Sequence, residues 1–537
     1  NGFLMRHGYT LAWVGWQPDV PHRDGLMALG APRTQGVSGR LRCEWRPNLP
    51  VDVLPLADRY HIPYAADLGD PDAHLSVRDD AGAAPRAVPR RAWQFARRQG
   101  DGLVPDASHI HLADGFAPGK IYDLVYRSQD PPLVGLGLLA VRDMGAFLRW
   151  GGPATGNPAA GRLDRAYVFG VSQSGRFLRH LLYLGLTEDE GGREVFDGVI
   201  VHVAGARRGE FNMRFGQPSL NAMESVGSLF PFTDDSQLDP VSGARDGLLQ
   251  RLAARGRLPK IFTINTSAEY WRGDGSLVHT DIEGRRDVEP PDAVRTYLFA
   301  GSQHVPGAVP PLDADPNTGA RGLQMFGTVT YAPLLRAALV NLDRWVSVDV
   351  APPPSAFPRL ADGTAVTAES TEATFMALPG VRFPDRIVRP ARLDFGADLD
   401  SQGIASELPP KVGARYPSFV SAVDRDGNEV AGLRPPELLA PLATFTGWNL
   451  RHPSQGAPGD LMSMVGSTLP FPLTRDERER TKDPRLSLEE RYGSRPGYLA
   501  HVRRALEPAV AARHVLAEDV DAIVERAGQL WDYLHAR

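Results

Sequence analysis

Three residue types, each set just after a short apolar run, could together carry out acyl transfer in this chain: a serine, a carboxylate and a histidine. The serine comes first, in the stretch Arg165-Ala166-Tyr167-Val168-Phe169-Gly170-Val171-Ser172-Gln173-Ser174-Gly175-Arg176-Phe177-Leu178. Tyr167, Val168 and Phe169 are β-branched and aromatic, as in a buried parallel strand. Phe177, Leu178, Leu181 and Leu182 then repeat at helical spacing, so the periodicity switches at Ser172. A strand-to-helix elbow of this kind holds a serine in a strained conformation and needs small residues two before, two after and three after it. Gly170, Ser174 and Gly175 stand there. Ser174 replaces the more usual glycine but is small enough; the plainer reading is an ordinary turn capped by a serine.

A serine hydroxyl is a weak nucleophile at neutral pH and needs a base, which in turn needs a carboxylate to orient it. Behind an elbow the expected chain order is serine, acid, histidine. His304 leads among the histidines, because it follows the apolar run 294–300 through Gly301-Ser302-Gln303; His279 and His202 compete, although His202 lies inside an apolar run and reads as a core residue. The acid should lie in Thr266-Ser267-Ala268-Glu269-Tyr270-Trp271-Arg272-Gly273-Asp274, just after the run 259–265. Glu269 leads there because flanking aromatics would keep water from its bond to the imidazole. Asp274 and Asp281 are the alternatives, and the bland role for either of the first two is an ion pair with Arg272. Acyl transfer also needs two donors for the developing oxyanion, the first of them the backbone N–H of Gln173. The second is expected from a segment upstream of Asn1 if residues 3–16 are a helix and its following strand, or else from Trp16 or Gln17.

Such groups must be held at the carboxyl ends of sheet strands. The patterning predicts a strand over 9–16 after a helix end at 3–7, further strands over 121–126, 199–203, 259–265 and 294–300, and helices over 136–148 and 247–254. Apolar strands alternating with helices give an α/β fold with a mostly parallel sheet. The predicted core spans 1–350, interrupted at about 18–120 by a loop-rich β insertion. An extension over 351–537, irregular and proline-dense as far as Pro472 and then helical, is expected to pack on the core as one unit. Thr474-x-x-Glu477 and Ser487-x-x-Glu490 read as capping boxes, and the apolar helical spacing over 499–534 is interrupted by Pro508.

Composition narrows the classes. The chain has 537 residues and a formal charge of −5 with acids and bases intermixed, which offers no basic stripe for nucleic acid. Cys43 is the only cysteine, so no internal disulfide or thiolate metal cluster can form. No apolar run reaches the roughly 20 residues that span a bilayer. A soluble protein is expected, cytoplasmic or exported. The first residue is Asn1 and not methionine, so something upstream is expected to have been trimmed, processed or left out, which leaves room for a signal peptide. Asp424-Arg425-Asp426-Gly427-Asn428-Glu429 looks like the start of a calcium loop, but its glycine is at the fourth position instead of the sixth, so a turn is expected. His279-Thr280-Asp281 lacks a partner cluster for a metal, and Gly135-x-Gly137 lacks the third glycine of a dinucleotide motif.

Together these stretches resemble a bacterial α/β-hydrolase-domain family of mostly uncharacterised esterases. The resemblance runs through Gly8-Tyr9, Gly15-Trp16-Gln17, residues 122–148, the elbow, Arg208-Gly209-Glu210-Phe211-Asn212, Asn265 to Trp271, Ala300 to His304, Asp424 to Glu429, Gly447-Trp448-Asn449 and Asp483-Pro484-Arg485. It implies an α/β-hydrolase fold and a serine hydrolase acting on small carboxylic esters through a Ser172, Glu269, His304 triad, with no cofactor and no metal. The alternatives are another acyl hydrolase or acyltransferase (a peptidase, thioesterase or polyester depolymerase) and a non-catalytic binding protein on the same fold.

Overall fold

The structure, a computed structural model, describes residues 2–58, 60–219, 225–316 and 318–536. After α1 (Gly2–Arg6) the chain runs through residues 9–16 without regular secondary structure, so the strand expected there does not form. Its aromatic side chains are satisfied elsewhere: Tyr9 meets Tyr167 edge-on at 6.5 Å, and Trp16 packs on Phe177 at 4.6 Å and Phe211 at 5.3 Å. The Trp16 carbonyl lies against a helix, close enough that a Cβ on Gly137 would come within 2.1 Å of it.

The insertion is β as expected. Strands β1 (Ser38–Trp45), β2 (Val51–Pro55), β3 (His74–Arg78), β4 (Arg86–Val88), β5 (Trp93–Gln99), β6 (Gly102–Phe116) and β7 (Ile121–Gln129) form two antiparallel sheets, ordered β1-β7-β3-β4 and β2-β6-β5. Leu41, Cys43, Leu75, Phe95, Ile110, Leu124 and Tyr126 share their core. The strand expected over 121–126 is therefore present, but it belongs to this unit, where Leu124 stands opposite both Cys43 and Leu75. A strand buried on both faces reads as a continuous apolar run whether its neighbours are parallel or antiparallel, which is why the pattern could not assign β7 to its sheet.

Next come α2 (Leu136–Trp150), β8 (Tyr167–Val171), α3 (Gln173–Tyr183), β9 (Gly198–His202), a small hairpin β10–β11 (Gln237–Leu238, Arg245–Asp246), α4 (Gln250–Ala253), β12 (Lys260–Thr266), α5 (Ser267–Trp271), β13 (Val294–Phe299) and α6 (Ala332–Val348). The main sheet is wholly parallel, ordered β13-β12-β9-β8. Side chains alternate across it, as the pleat requires. Val199, Val201 and Ile261 meet Leu138, Phe177 and Leu181 on one face. Ile200, Phe262 and Ile264 meet Leu334 and Leu342 on the other. On the outer side of β8 no strand among the described residues pairs, and Phe169 and Val171 are 51 % and 43 % exposed.

The opposite edge is covered by the C-terminal half. Leu298 N–H donates to Ala356 O at 2.9 Å, Leu433 N–H to Leu298 O at 2.7 Å and Ala300 N–H to Leu433 O at 3.0 Å, zipping the extension onto β13. It contains α7 (Glu372–Met376), α8 (Asp398–Gln402), α9 (Pro436–Leu439) and three ribbons: β14 (Ala365–Val366) with β17 (Val420–Ser421), β15 (Ala391–Asp394) with β16 (Lys411–Arg415), and β18 (Ala443–Thr446) with β19 (Ser467–Pro470). The tail is α10 (Arg475–Thr481), α11 (Leu488–Tyr492), α12 (Arg495–Ala511) and α13 (Val520–His535). Ser487 and Glu490 make the expected reciprocal capping box; at α10 the Glu477 carboxylate instead takes the Leu473 N–H, one residue earlier. Pro508 does not break α12, which continues to Ala511. Pro508 and Arg504, whose carbonyl loses its partner, are both exposed, so water can serve that carbonyl. No helix among the described residues is long and apolar enough to cross a membrane.

Tyr498, Val502, Leu506, Leu530 and Trp531 of the tail share one core with Ile200, Phe262 and Phe299 of the sheet. Leu506→Ala is expected to cost about 2–5 kcal/mol, read as a lower urea midpoint for loss of the whole fold; an unchanged midpoint would show that α12 is not part of that core.

Candidate active site

Ser172 sits between β8 and α3 with φ 56° and ψ −112°, a region a side chain adopts only under strain. Its N–H donates to His202 O at 2.9 Å, and its carbonyl accepts from Arg176 N–H at 2.9 Å. The small residues are sterically required at two positions. A Cβ on Gly170 would lie 2.4 Å from Ser174 O, and one on Gly175 would lie 2.7 Å from His202 O, so strand and helix could not approach with anything larger.

His304 is delivered by the loop after β13. Gly301 turns the chain at φ 64°, Ser302 Oγ donates to Phe299 O at 2.6 Å, and Tyr331 Oη donates to His304 O at 2.7 Å. Its ring spans the other two groups: Nδ1 is 2.6 Å from Glu269 Oε1 and Nε2 is 2.8 Å from Ser172 Oγ. With the ring N–H at Nδ1 donating its hydrogen bond to the carboxylate, Nε2 is free to accept from the serine hydroxyl.

Glu269 lies in α5, immediately after β12. Its second oxygen, Oε2, accepts from Thr266 N–H at 2.8 Å and Thr266 Oγ1–H at 2.6 Å. Burial pushes this carboxyl up, but the charge and hydrogen bond of His304, then Arg272 and the Thr266 hydroxyl, outweigh burial and bring it down to about 2. Glu269 is fully buried and His304 is 5 % exposed, while Ser172 is half-buried and so the member of the three most open to a ligand.

The competing residues lie elsewhere. Asp274 is engaged by Arg272 at 2.7 Å and by Ala206 N–H at 3.1 Å. Asp281 caps a turn through Arg285 N–H at 2.6 Å and Arg286 N–H at 3.3 Å. His279 is buried against Tyr270 and stacked on Phe357, and burial drives its imidazole down to about 3. His202 is likewise buried, among Phe169, Phe299 and Tyr331, and neither of its ring nitrogens has a hydrogen-bond partner; its carbonyl serves the elbow.

Gln173 is the first residue of α3, where backbone N–H groups have no partner within the helix. Its carboxamide donates to Gln17 Oε1 at 3.1 Å, so of the two sources considered for a second oxyanion donor, residue 17 lies beside the elbow. Asp424 closes a turn, accepting from Asp426 and Asn428 N–H at 2.9 and 3.0 Å. Among the described residues no group of three or more His, Cys, Asp and Glu is arranged to hold a metal ion. Sequence reasoning overlooked Thr266, although the signal was present: Thr266-x-x-Glu269 is the same capping pattern read in the tail.

A family model described as alpha/beta hydrolase domain matches residues 103–525. Neither the search of curated proteins nor that of solved structures found a match.

The depressed carboxyl of Glu269 has a pH signature. An unfolded glutamate titrates near 4.5, above the folded value. Between the two values the unfolded chain binds more protons, so the stabilisation from Glu269 is whole above about pH 4.5 and is lost as pH falls toward 2. Urea midpoints of the wild type and Glu269→Gln should therefore differ at neutral pH and converge below pH 4.5; a constant gap would contradict this origin.

Proposed function

The chain belongs to the alpha/beta hydrolase domain family, and we propose that it is a serine hydrolase of small carboxylic esters working through an acyl-enzyme on Ser172. The observation that carries this reading is the continuous relay from Ser172 Oγ to His304 Nε2 at 2.8 Å and from His304 Nδ1 to Glu269 Oε1 at 2.6 Å. In the first half-reaction Ser172 Oγ attacks the ester carbonyl as its proton passes to His304 Nε2. The imidazolium so formed is stabilised by the ionised Glu269 and then protonates the departing alcohol. Water repeats the sequence on the acyl-enzyme, with His304 taking its proton and returning it to Ser172.

The tetrahedral intermediates carry an oxyanion that needs preorganised donors. One is the backbone N–H of Gln173. For the second, the Gln17–Gln173 contact supports residue 17. Oγ of Ser172 already lies 2.8 Å from His304 Nε2, which supports a nucleophile and base preorganised for attack.

With short p-nitrophenyl esters, Ser172→Ala is expected to lower kcat on the order of 10⁶-fold. Glu269→Gln should lower it by about 10⁴-fold through loss of the working tautomer. Asp274→Asn should retain most turnover; if it alone abolishes activity, the acid is wrongly assigned. A fluorophosphonate probe should label wild type at Ser172, and failure to label correctly folded protein would overturn the hydrolase reading.

A further inference from the structure

Glu429 ends the turn dismissed as a calcium loop, far along the chain from the residues of the relay, yet it is bonded to both loops that supply the acid and the base. One of its carboxyl oxygens, Oε2, accepts from the Ser267 hydroxyl and from Gly301 N–H at 2.8 Å. Ser267 opens α5, between Thr266, which holds Glu269, and Glu269 itself. Gly301 is the positive-φ residue at which the chain turns toward His304. Glu429 is 3 % exposed, and its other oxygen, Oε1, is buried without a partner.

The carboxyl is itself held. Within the turn, Gly427 N–H donates to Asp424 O at 2.9 Å, and the neighbouring Asn428 bonds β18 twice, accepting from Phe445 N–H at 2.9 Å and donating to Ala443 O at 3.2 Å. Beside it, Gly447 lies so close to the acid loop that a Cβ there would come 2.3 Å from the Ser267 Cβ. Burying a carboxyl with one oxygen unpaired is costly. Burial pushes Glu429 up to about 7, only partly offset by its two donors. That cost falls on a group whose two bonds go to the two separate loops joined by the 2.6 Å Glu269–His304 bond.

We propose that Glu429 is a positioning residue, a clamp that fixes the spacing of the Glu269 and His304 loops from a single oxygen and thereby makes the C-terminal half a required part of the relay. The inference rests on the proposed role of Ser172, Glu269 and His304. It concerns kcat, because the clamp touches neither substrate nor the serine.

The test compares Glu429→Gln, Glu429→Ala and Ser267→Ala, with rates taken per site labelled by the fluorophosphonate, so that misfolded protein does not count. Glutamine keeps an oxygen able to accept both bonds, so Glu429→Gln should stay within about threefold of wild-type kcat, a change of about 0.7 kcal/mol or less. Glu429→Ala should lose kcat by about 10²-fold, the scale of a misplacement near 1 Å, with KM nearly unchanged. Ser267→Ala, which removes one of the two donors, should fall between them, and it stands as the test if Glu429→Ala does not fold. Wild-type kcat in the alanine variants would overturn the proposal, as would equal losses in Glu429→Gln and Glu429→Ala. A substrate-free readout separates this from failure of the hydrolase reading. The far-downfield proton of the His304–Glu269 bond should persist in Glu429→Gln and be displaced in Glu429→Ala, whatever the wild type does with esters.

Discussion

Glu269 and His304 reach each other from different loops, and their hydrogen bond holds only while β12 and β13 keep their register. The parallel pairing sets Thr266 opposite Phe299, so the chain leaves both strands at one level of the sheet and the two loops begin side by side. On the other flank Val171 stands opposite His202, the residue whose carbonyl also receives the Ser172 N–H. A slip of one residue would move every side chain of a strand to the opposite face of the sheet and so exchange the residues that fill its two cores. Alternate residues of β9 and β12 fill two separate cores, so packing fixes the register and the register fixes the site.

The C-terminal half enters the same chain of constraints through hydrogen bonds as well as apolar packing. Arg485, 3 % exposed, is paired with Asp483 at 2.7 Å and donates to Leu469 O, Thr444 Oγ1 and Pro470 O at 2.9 to 3.0 Å. A guanidinium with that many partners is a rigid cross-brace. It ties β18 to β19, and β18 in turn anchors Asn428 beside Glu429. The ribbons therefore stiffen a frame whose inner end meets the loops of the sheet.

What could be read from the sequence follows from how local each signal is. The elbow is a change of period at one residue with glycines at fixed offsets, and the acid and histidine loops each directly follow an apolar run, so Ser172, Glu269 and His304 could be named one after another. The strand expected over residues 9–16 failed because Tyr9 and Trp16 are aromatic enough to suggest a sheet but bury themselves on β8 and α3 from outside it. β7 was visible as a strand and invisible as to its sheet, since burial on both faces erases the alternation that would distinguish neighbours. Glu429 was beyond reach for another reason. Its partners Ser267 and Gly301 lie far away in sequence, and no spacing rule links a turn to two remote loops.

The open side of β8 has a practical consequence for handling the protein. An edge strand that no other strand among the described residues pairs on its outer side, with Phe169 and Val171 exposed, is a template for another strand. This one ends at Ser172. Self-association in concentrated samples of this chain would start along the strand that ends at Ser172, so turbidity would rise as access to that serine falls. Solubility and access to Ser172 would then report on one surface, and a charge introduced at Phe169 would bear on both.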